Sequence, residues 1–505
     1  LRATINEVNA KGRWMNNNDL KLILNTNLAL IVIETWDETR TLDLLQDLFQ
    51  CASMPAWRWT HTEGLFPLGF GLELANPEQY AEAEIVLGYI KKYRKPGAFV
   101  LCDMHPFMES AKVIRLIKDI ALDFENSQHK LVFVSHRLNL PAELSRFAAS
   151  VSLSMPSEDE IMGIIREQAR EWADKHRKSR IKTDSATLHS LVKNLKGLTH
   201  QDVRRLAYGA IADDGAITEA DLPEVTKAKF ELMHMDGVLH FEFSTAHMSD
   251  VAGLHNLKKW LEDRRQAMSS NHGSLDPPKG VLLFGVQGGG KSLAAKAIAG
   301  VWRLPLLRLD MAALFNKYVG ETERNLREAL KLADLMSPCV LWLDEIEKGL
   351  ASGGEDSGTP KRLLGTLLTW MSERKSTVFM VATSNDISQL PPELMRKGRF
   401  DEIFFVDLPC HDTRHAIFRI HLSKRDLEPE HFNIDALAQL SEGFTGAEIE
   451  QAVVSATYAA AARELDVSDQ LLQAAIQQTQ PLSVVMAERI AQLRAWASDR
   501  AVRAN

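Results

Sequence analysis

No apolar run in this 505-residue chain reaches the ~18 residues that a membrane-spanning helix needs. The longest, such as residues 28–33 (LALIVI), are of strand length, so no span is expected. Cysteine is scarce: Cys51, Cys102, Cys339 and Cys410 stand far apart with no CxxC pair, which argues against a disulfide framework or a cysteine-based zinc site. Cys102 and Cys339 sit in apolar runs and read as buried reduced thiols, as in a reducing cytosol. No stretch is rich enough in Pro, Gly or Ser to suggest a large disordered region. Positive charge is not in excess either. A net charge of −8 and a pI near 6.1 disfavour nucleic acid as a partner. The basic runs at 91–95 (KKYRK) and 175–182 (KHRKSRIK) read as solvated helix ends or loops. The sequence opens on Leu1 rather than Met, which leaves a preceding segment open.

What is present is enough chain for two α/β domains, each with a helical appendage. From about residue 248, short apolar runs at 280–284, 306–309, 339–343, 378–382 and 403–406 alternate with amphipathic stretches, the pattern of a parallel sheet covered by helices. After Pro409 only helical stretches follow, at 412–422, 434–440 and 446–463. The front half repeats the plan. LPAELSRF at 140–147 echoes LPPELMRKGRF at 390–400, PSEDEIMGIIREQ at 156–168 echoes PCHDTRHAIFRIH at 409–421, and GLTHQDV at 197–203 echoes GFTGAEI at 443–449. Three echoes in register predict tandem α/β modules: 1–229 (core 1–154, lid 155–229), a linker at 230–249, a core at 250–409, a lid at 410–480 and a C-terminal helix within 481–505.

Residues 285–292 (GVQGGGKS) follow a predicted strand and precede an Ala- and Lys-rich helical run. Gly285, Gly288, Gly289 and Gly290 let backbone N–H groups curl round phosphates, and the helix N-terminus adds its dipole. Lys291 supplies a cation for β- and γ-oxygens and Ser292 a hydroxyl for Mg²⁺, so the ligand expected is ATP with Mg²⁺. The run at 339–343 ends in Asp344 and Glu345, at the strand end where α/β ligand sites lie. Asp344 suits Mg²⁺ through water, and Glu345 suits the polarising of an attacking water. The run at 378–382 leads to Thr383-Ser384-Asn385, whose amide can orient that water, and beyond it lies the basic turn 396–401 (RKGRFD).

In order and spacing, 285–292, Asp344-Glu345, Asn385 and 398–401 resemble the Walker A, Walker B, sensor 1 and second region of homology of AAA ATPases, over about residues 248–460. The resemblance implies that Asp250, Val251 and Ala252 contact the adenine, with His421 at the lid histidine position and Gly446 and Ala447 at the lid turn. It implies that Arg399 reaches a neighbouring subunit's site as an arginine finger, with Arg396 a weaker choice. It makes Lys317, Tyr318 and Val319, with Gly320, an aromatic pore loop, against the alternative of a tyrosine packed at a helix start. Over its whole length the chain is similar to the Ycf46-like AAA proteins of plastids, cyanobacteria and other bacteria, named for a hypothetical chloroplast reading frame. That group has a degenerate front module and an ending like Pro481-Leu482-Ser483 and the helix around Trp496. The similarity further implies a homo-oligomer, a hexamer, acting on an unidentified protein substrate in the cytoplasm, or in the stroma where plastid-encoded.

Two departures qualify that expectation. Glu402 stands where many AAA proteins carry a second arginine. In the front module, residues 98–103 (AFVLCD) mimic a Walker B strand with Met104 in place of the catalytic glutamate, and 28–40 hold the phosphate-loop position without glycine or GK[ST], so no ATP is expected there. The acidic Gly-rich stretch 351–359 reads as a mobile connector rather than a second pore element. Two functions are compatible with these features: an ATP-hydrolysing ring that remodels a protein partner, or a nucleotide-dependent binding scaffold with slow turnover.

Overall fold

The computed structural model describes residues 20, 24, 26, 28–69, 76–136, 138–153, 155–176, 181–233, 238–242, 248–268, 276–311, 313–315, 321–350, 358–396 and 398–505. The pore-loop residues Lys317, Tyr318 and Val319 lie outside this set, as does most of the 351–359 stretch. Two compact units meet in the chain between Asp221 and Leu222.

In the first unit, β1 (Leu30–Glu34), β2 (Ala56–Thr60), β3 (Gly64–Pro67), β4 (Gly97–Cys102), β5 (His129–Ser135) and β6 (Ala148–Ser152) form one sheet in the order β3-β2-β4-β5-β1-β6. The helices Glu158–Lys175, Ser185–Leu195 and His200–Ala212 follow, with a small parallel pair β7 (Lys182–Thr183) and β8 (Ala216–Ile217). In the second unit, β9 (Leu239–Glu242), β10 (Gly280–Gly285), β11 (Leu306–Asp310), β12 (Cys339–Asp344), β13 (Val378–Ser384), β14 (Glu402–Val406) and β15 (Val502–Arg503) are ordered β15-β14-β10-β13-β12-β11-β9.

Without their edge strands the two sheets share one plan. β6-β1-β5-β4-β2 and β14-β10-β13-β12-β11 are both parallel throughout, with matching chain order. Burial on both faces explains why these strands read as unbroken apolar runs. Along β10, β12 and β13, Leu282, Phe284, Leu341, Leu343 and Met380 join one core cluster, and Val281, Leu283, Val340, Trp342 and Phe379 join the other, the period-2 split that a pleated strand imposes. Each cluster occupies one face of the sheet. The first unit repeats this with Leu30, Val32, Phe99 and Phe133 against Ile31, Ile33, Val100 and Val132.

Several boundaries differ from the sequence reading. β13 runs on to Thr383 and Ser384, polar but buried residues. The segment expected as a linker holds β9, antiparallel to β11; Leu-His-Phe-Glu alternates apolar with polar residues and so lacks the unbroken apolar run by which the parallel strands are read. The helix Leu222–Leu232 belongs to the second unit, where buried Lys229 donates to Leu335 O at 2.7 Å. The C-terminal region is two helices, Leu482–Val485 and Ala487–Ala497, and then β15, which extends the sheet beside β14.

Candidate nucleotide site

β10 lies between β13 and β14, so the turn after it opens at the carboxyl edge between two neighbouring strand tips. Only glycine fits the first position of that turn: a Cβ on Gly285, at φ 145°, would sit 2.0 Å from Val406 O. Gly288 and Gly290 also have positive φ. The turn leads into the helix Lys291–Trp302, whose N-cap Gly290 contributes no side chain, which leaves the first N–H groups free of a side-chain anion. Lys291 is 6% exposed, and its Nζ donates to Gly285 O at 3.0 Å and Val286 O at 2.8 Å. Burial brings its pKa down to about 8, against the pull of Glu347, Glu345 and Asp344.

At the tips of β12 and β13 the acidic residues are individually held. Asp344 accepts from Thr383 Oγ1 at 2.8 Å and from Arg308 at 2.9 Å. Glu345, at φ 47°, accepts from the Asn385 side-chain amide at 2.9 Å and is paired with Lys348, whose ammonium it stabilises. Glu347 accepts from the Asn385 backbone N–H at 2.9 Å. Arg308 also lies 4.0 Å from Glu242 of β9, which pairs with Lys296 at 3.0 Å. Local sequence pattern does not single out Arg308, Thr383, Lys348 or Glu347. Arg308 alternates with Leu307 and Leu309 inside an apolar run, and its partner becomes visible only once β11 pairs with β12.

The lid closes the other side. The helix Gly446–Ala461 starts with a capping box between Thr445 and Glu448, which exposes the Gly446-Ala447 turn, and Ala447 N–H donates to Gly288 O at 3.2 Å. His421 sits 3.5 Å from Glu450, with burial lowering its pKa and Glu450 opposing that shift. A cavity of about 560 Å³ is lined by Asp250, Val251, Ala252, Gly288, Gly289, Gly290, Lys291, Ser292, Asp344, Glu345, Asn385, His421, Gly446 and Ala447. Asn505 lines it as well, and its side chain accepts from the Leu254 N–H beside the Asp250–Ala252 segment. Gly285, the first residue of the loop, packs against Val406 and is outside this lining. Arg399 is not in this set; its guanidinium donates to Leu368 O and Ser372 Oγ on the helix Gly358–Glu373.

Known proteins match this organisation. The profile of the ATPase family associated with various cellular activities (AAA) matches residues 281–408, and the AAA+ lid domain matches 431–472. The N-terminal and second domains of SpoVK-like AAA ATPases match 16–153 and 159–236. The AAA domain-containing protein ycf46 of Pyropia yezoensis is 36% identical over 95% of this chain and 97% of its own length, and that of Guillardia theta is 35% identical over 96% and 95%. The chain belongs to the Ycf46-like AAA ATPases. A proteasome-activating nucleotidase of Aeropyrum pernix is 38% identical over 37% of the chain.

Within this family member the front module departs from the expected alignment. β4 and β12 are both six residues long, and the residue after each has positive φ, 51° at Asp103 and 47° at Glu345. Cys102 therefore matches Asp344, and Asp103, not Met104, matches Glu345; Met104 is fully buried, as Ile346 is. The sequence pattern misleads by one residue because an aspartate after an apolar run looks like the first acid of the pair. Cys102 offers no carboxylate, and burial pushes its thiol well above the usual range. At the phosphate-loop position, three residues separate β1 from the helix Glu38–Cys51, where five separate β10 from its helix. The Asp37 carboxylate caps that helix through the Arg40 N–H.

Proposed function

We propose that the second unit binds ATP with Mg²⁺ between the glycine loop and the lid and hydrolyses it, within an oligomer, a hexameric ring, that remodels a protein partner. One observation carries the reading: Lys291, Asp344, Glu345 and Asn385 line one cavity, with the Asn385 amide 2.9 Å from the Glu345 carboxylate. Loop N–H groups and Lys291 bind and orient the phosphates; Ser292 and Asp344 are the oxygen donors suited to Mg²⁺, which would neutralise charge on the transferring phosphoryl group. Glu345 takes the proton of the attacking water, and Asn385 and Lys348 fix the carboxylate that takes it. Asp250, Val251, Ala252, His421, Gly446 and Ala447 seat the base and ribose. Lid closure shields the reaction from bulk water.

Arg399 acts across a subunit boundary in this reading, and its contacts with Leu368 and Ser372 favour the second reading, a scaffold of slow turnover in which the arginine stays at home. Mixing separates the two. Arg399→Ala should bind ATP like the parent yet lose about 10³-fold or more in turnover. Adding Lys291→Ala protein should restore part of it, because each chain supplies what the other lacks. A parent rate per chain that stays flat on dilution, with no rescue in the mixture, would overturn the ring and leave the scaffold.

A further inference from the structure

The first unit's sheet has a carboxyl edge corresponding to the second's, and three metal-ligating side chains converge there. Asp103 follows β4, His105 opens the short turn His105–Glu109, and His136 follows β5; one ligand atom from each lies within 4.8 Å of the others. β4 and β5 are paired in parallel, so their tips are fixed side by side. By the same register these are the positions of Glu345, Glu347 and Asn385 in the second unit. Neighbouring groups orient them. Ser135 Oγ lies 2.9 Å from His105 Nδ1, the two imidazoles meet edge to face at 4.7 Å, and the Trp36 ring covers His136 at 4.9 Å.

We propose that Asp103, His105 and His136 bind a late first-row divalent cation, Zn²⁺ in the first instance, in place of the nucleotide chemistry this edge supports in the second unit. Two imidazoles and a carboxylate are a donor set for Zn²⁺ rather than for Mg²⁺, which takes oxygen ligands. Ligands at ~2.0–2.2 Å from a tetrahedral zinc lie roughly 3.3–3.6 Å apart, against a spread of at most 4.8 Å here. Asp103 and His136 are exposed and His105 is half-buried, which leaves the remaining coordination positions open to water. With Nε2 on the metal, His105 Nδ1–H donates to Ser135 Oγ, the outer support that holds a ligating histidine ring in plane. Bound there, the metal ties the turn after β4 to the turn after β5.

Isothermal titration of the tag-free full chain with ZnCl₂, in Mg²⁺-free buffer near pH 7, should give one equivalent bound. Affinity should fall by about tenfold or more in His105→Ala and in His136→Ala. It should stay unchanged in Asp344→Asn, which removes a carboxylate from the second unit's site. Thermal melts report whether the variants fold; should either histidine variant melt early, Asp103→Asn is read in its place with the same expected loss. With Co²⁺ as probe, quenching of indole emission should shrink in Trp36→Phe, because Trp36 is the indole against His136. No equivalent bound, binding by the ligand variants equal to the parent (an adventitious ion only), or loss of binding in Asp344→Asn would each overturn the site.

Discussion

β1 and β10 hold the same place in their sheets, each between the two strands that follow the others in chain order, yet the turns after them have opposite electrostatics. After β10, glycines lead to a helix whose N-terminus has no side-chain cap and whose first residue is a buried lysine. After β1, a shorter turn carries Asp37, whose own carboxylate accepts from the Arg40 N–H in the first turn. A helix N-terminus needs an anion or a hydrogen-bond acceptor. The second unit leaves that requirement for a ligand, and the first meets it from within. The five-strand core survives either way, because its stability rests on the alternating apolar faces and not on the turn.

The contrast is tested most severely by Lys291→Ala, which should abolish ATP binding in the full-length chain. Losing a buried charge partner costs about 2–5 kcal/mol, roughly 30- to 4,000-fold in affinity, which takes binding below what calorimetry of the variant detects. A stoichiometric site surviving in calorimetry would show that the first unit binds nucleotide after all. Glu345→Gln should keep binding and lower turnover by about 10²- to 10⁴-fold; near-parent phosphate release would remove Glu345 from its role.

A smaller effect comes from pH. Lys291 has a folded pKa of about 8, below its ordinary value, because burial disfavours its charge. Below about 8 the lysine is protonated whether the chain is folded or not, and the cost of burying it is fully present. Between about 8 and the usual lysine range the folded chain sheds that proton first, so unliganded stability rises with pH there. A bound triphosphate keeps the lysine charged, so ATP affinity should be level below pH 8 and fall by up to about tenfold per unit above it. Fluorescent-nucleotide titrations from pH 7 to 9.5 would show this, and a level profile throughout would assign the binding charge elsewhere. Smallest of all, Asp37→Ala should cost the first unit about 1 kcal/mol by loss of a helix cap, read from thermal unfolding, and leave ATP turnover alone. A gain of nucleotide binding in that variant would mean the cap had been masking a working site.

Local pattern made much of this legible. The glycine loop, the Asp344-Glu345 pair and Asn385 each follow an apolar run, and a parallel strand buried on both faces is such a run. The helical stretch from Gly446 was legible too, and the capping box between Thr445 and Glu448 fixes where it starts. Other features were not. Arg308 acts through a partner 36 residues away, Glu242 approaches Arg308 only as part of an edge strand, and Asn505 reaches the cavity only because β15 joins the sheet. Of the basic runs, Lys91 is engaged by Asp119 at 2.7 Å.

The sequence by itself determined the two-module plan and which residue types gather at the second unit's candidate site, because those depend on short periodic runs and on residue types fixed next to one another along the chain. Tertiary structure alone decided the strand order shared by both sheets, the one-residue shift that puts Asp103 rather than Met104 opposite Glu345, and the meeting of His105 with His136. Each of these depends on register between strands distant in sequence. A pairing shift of one residue turns every side chain to the other face, and no local pattern records which register the whole sheet selects.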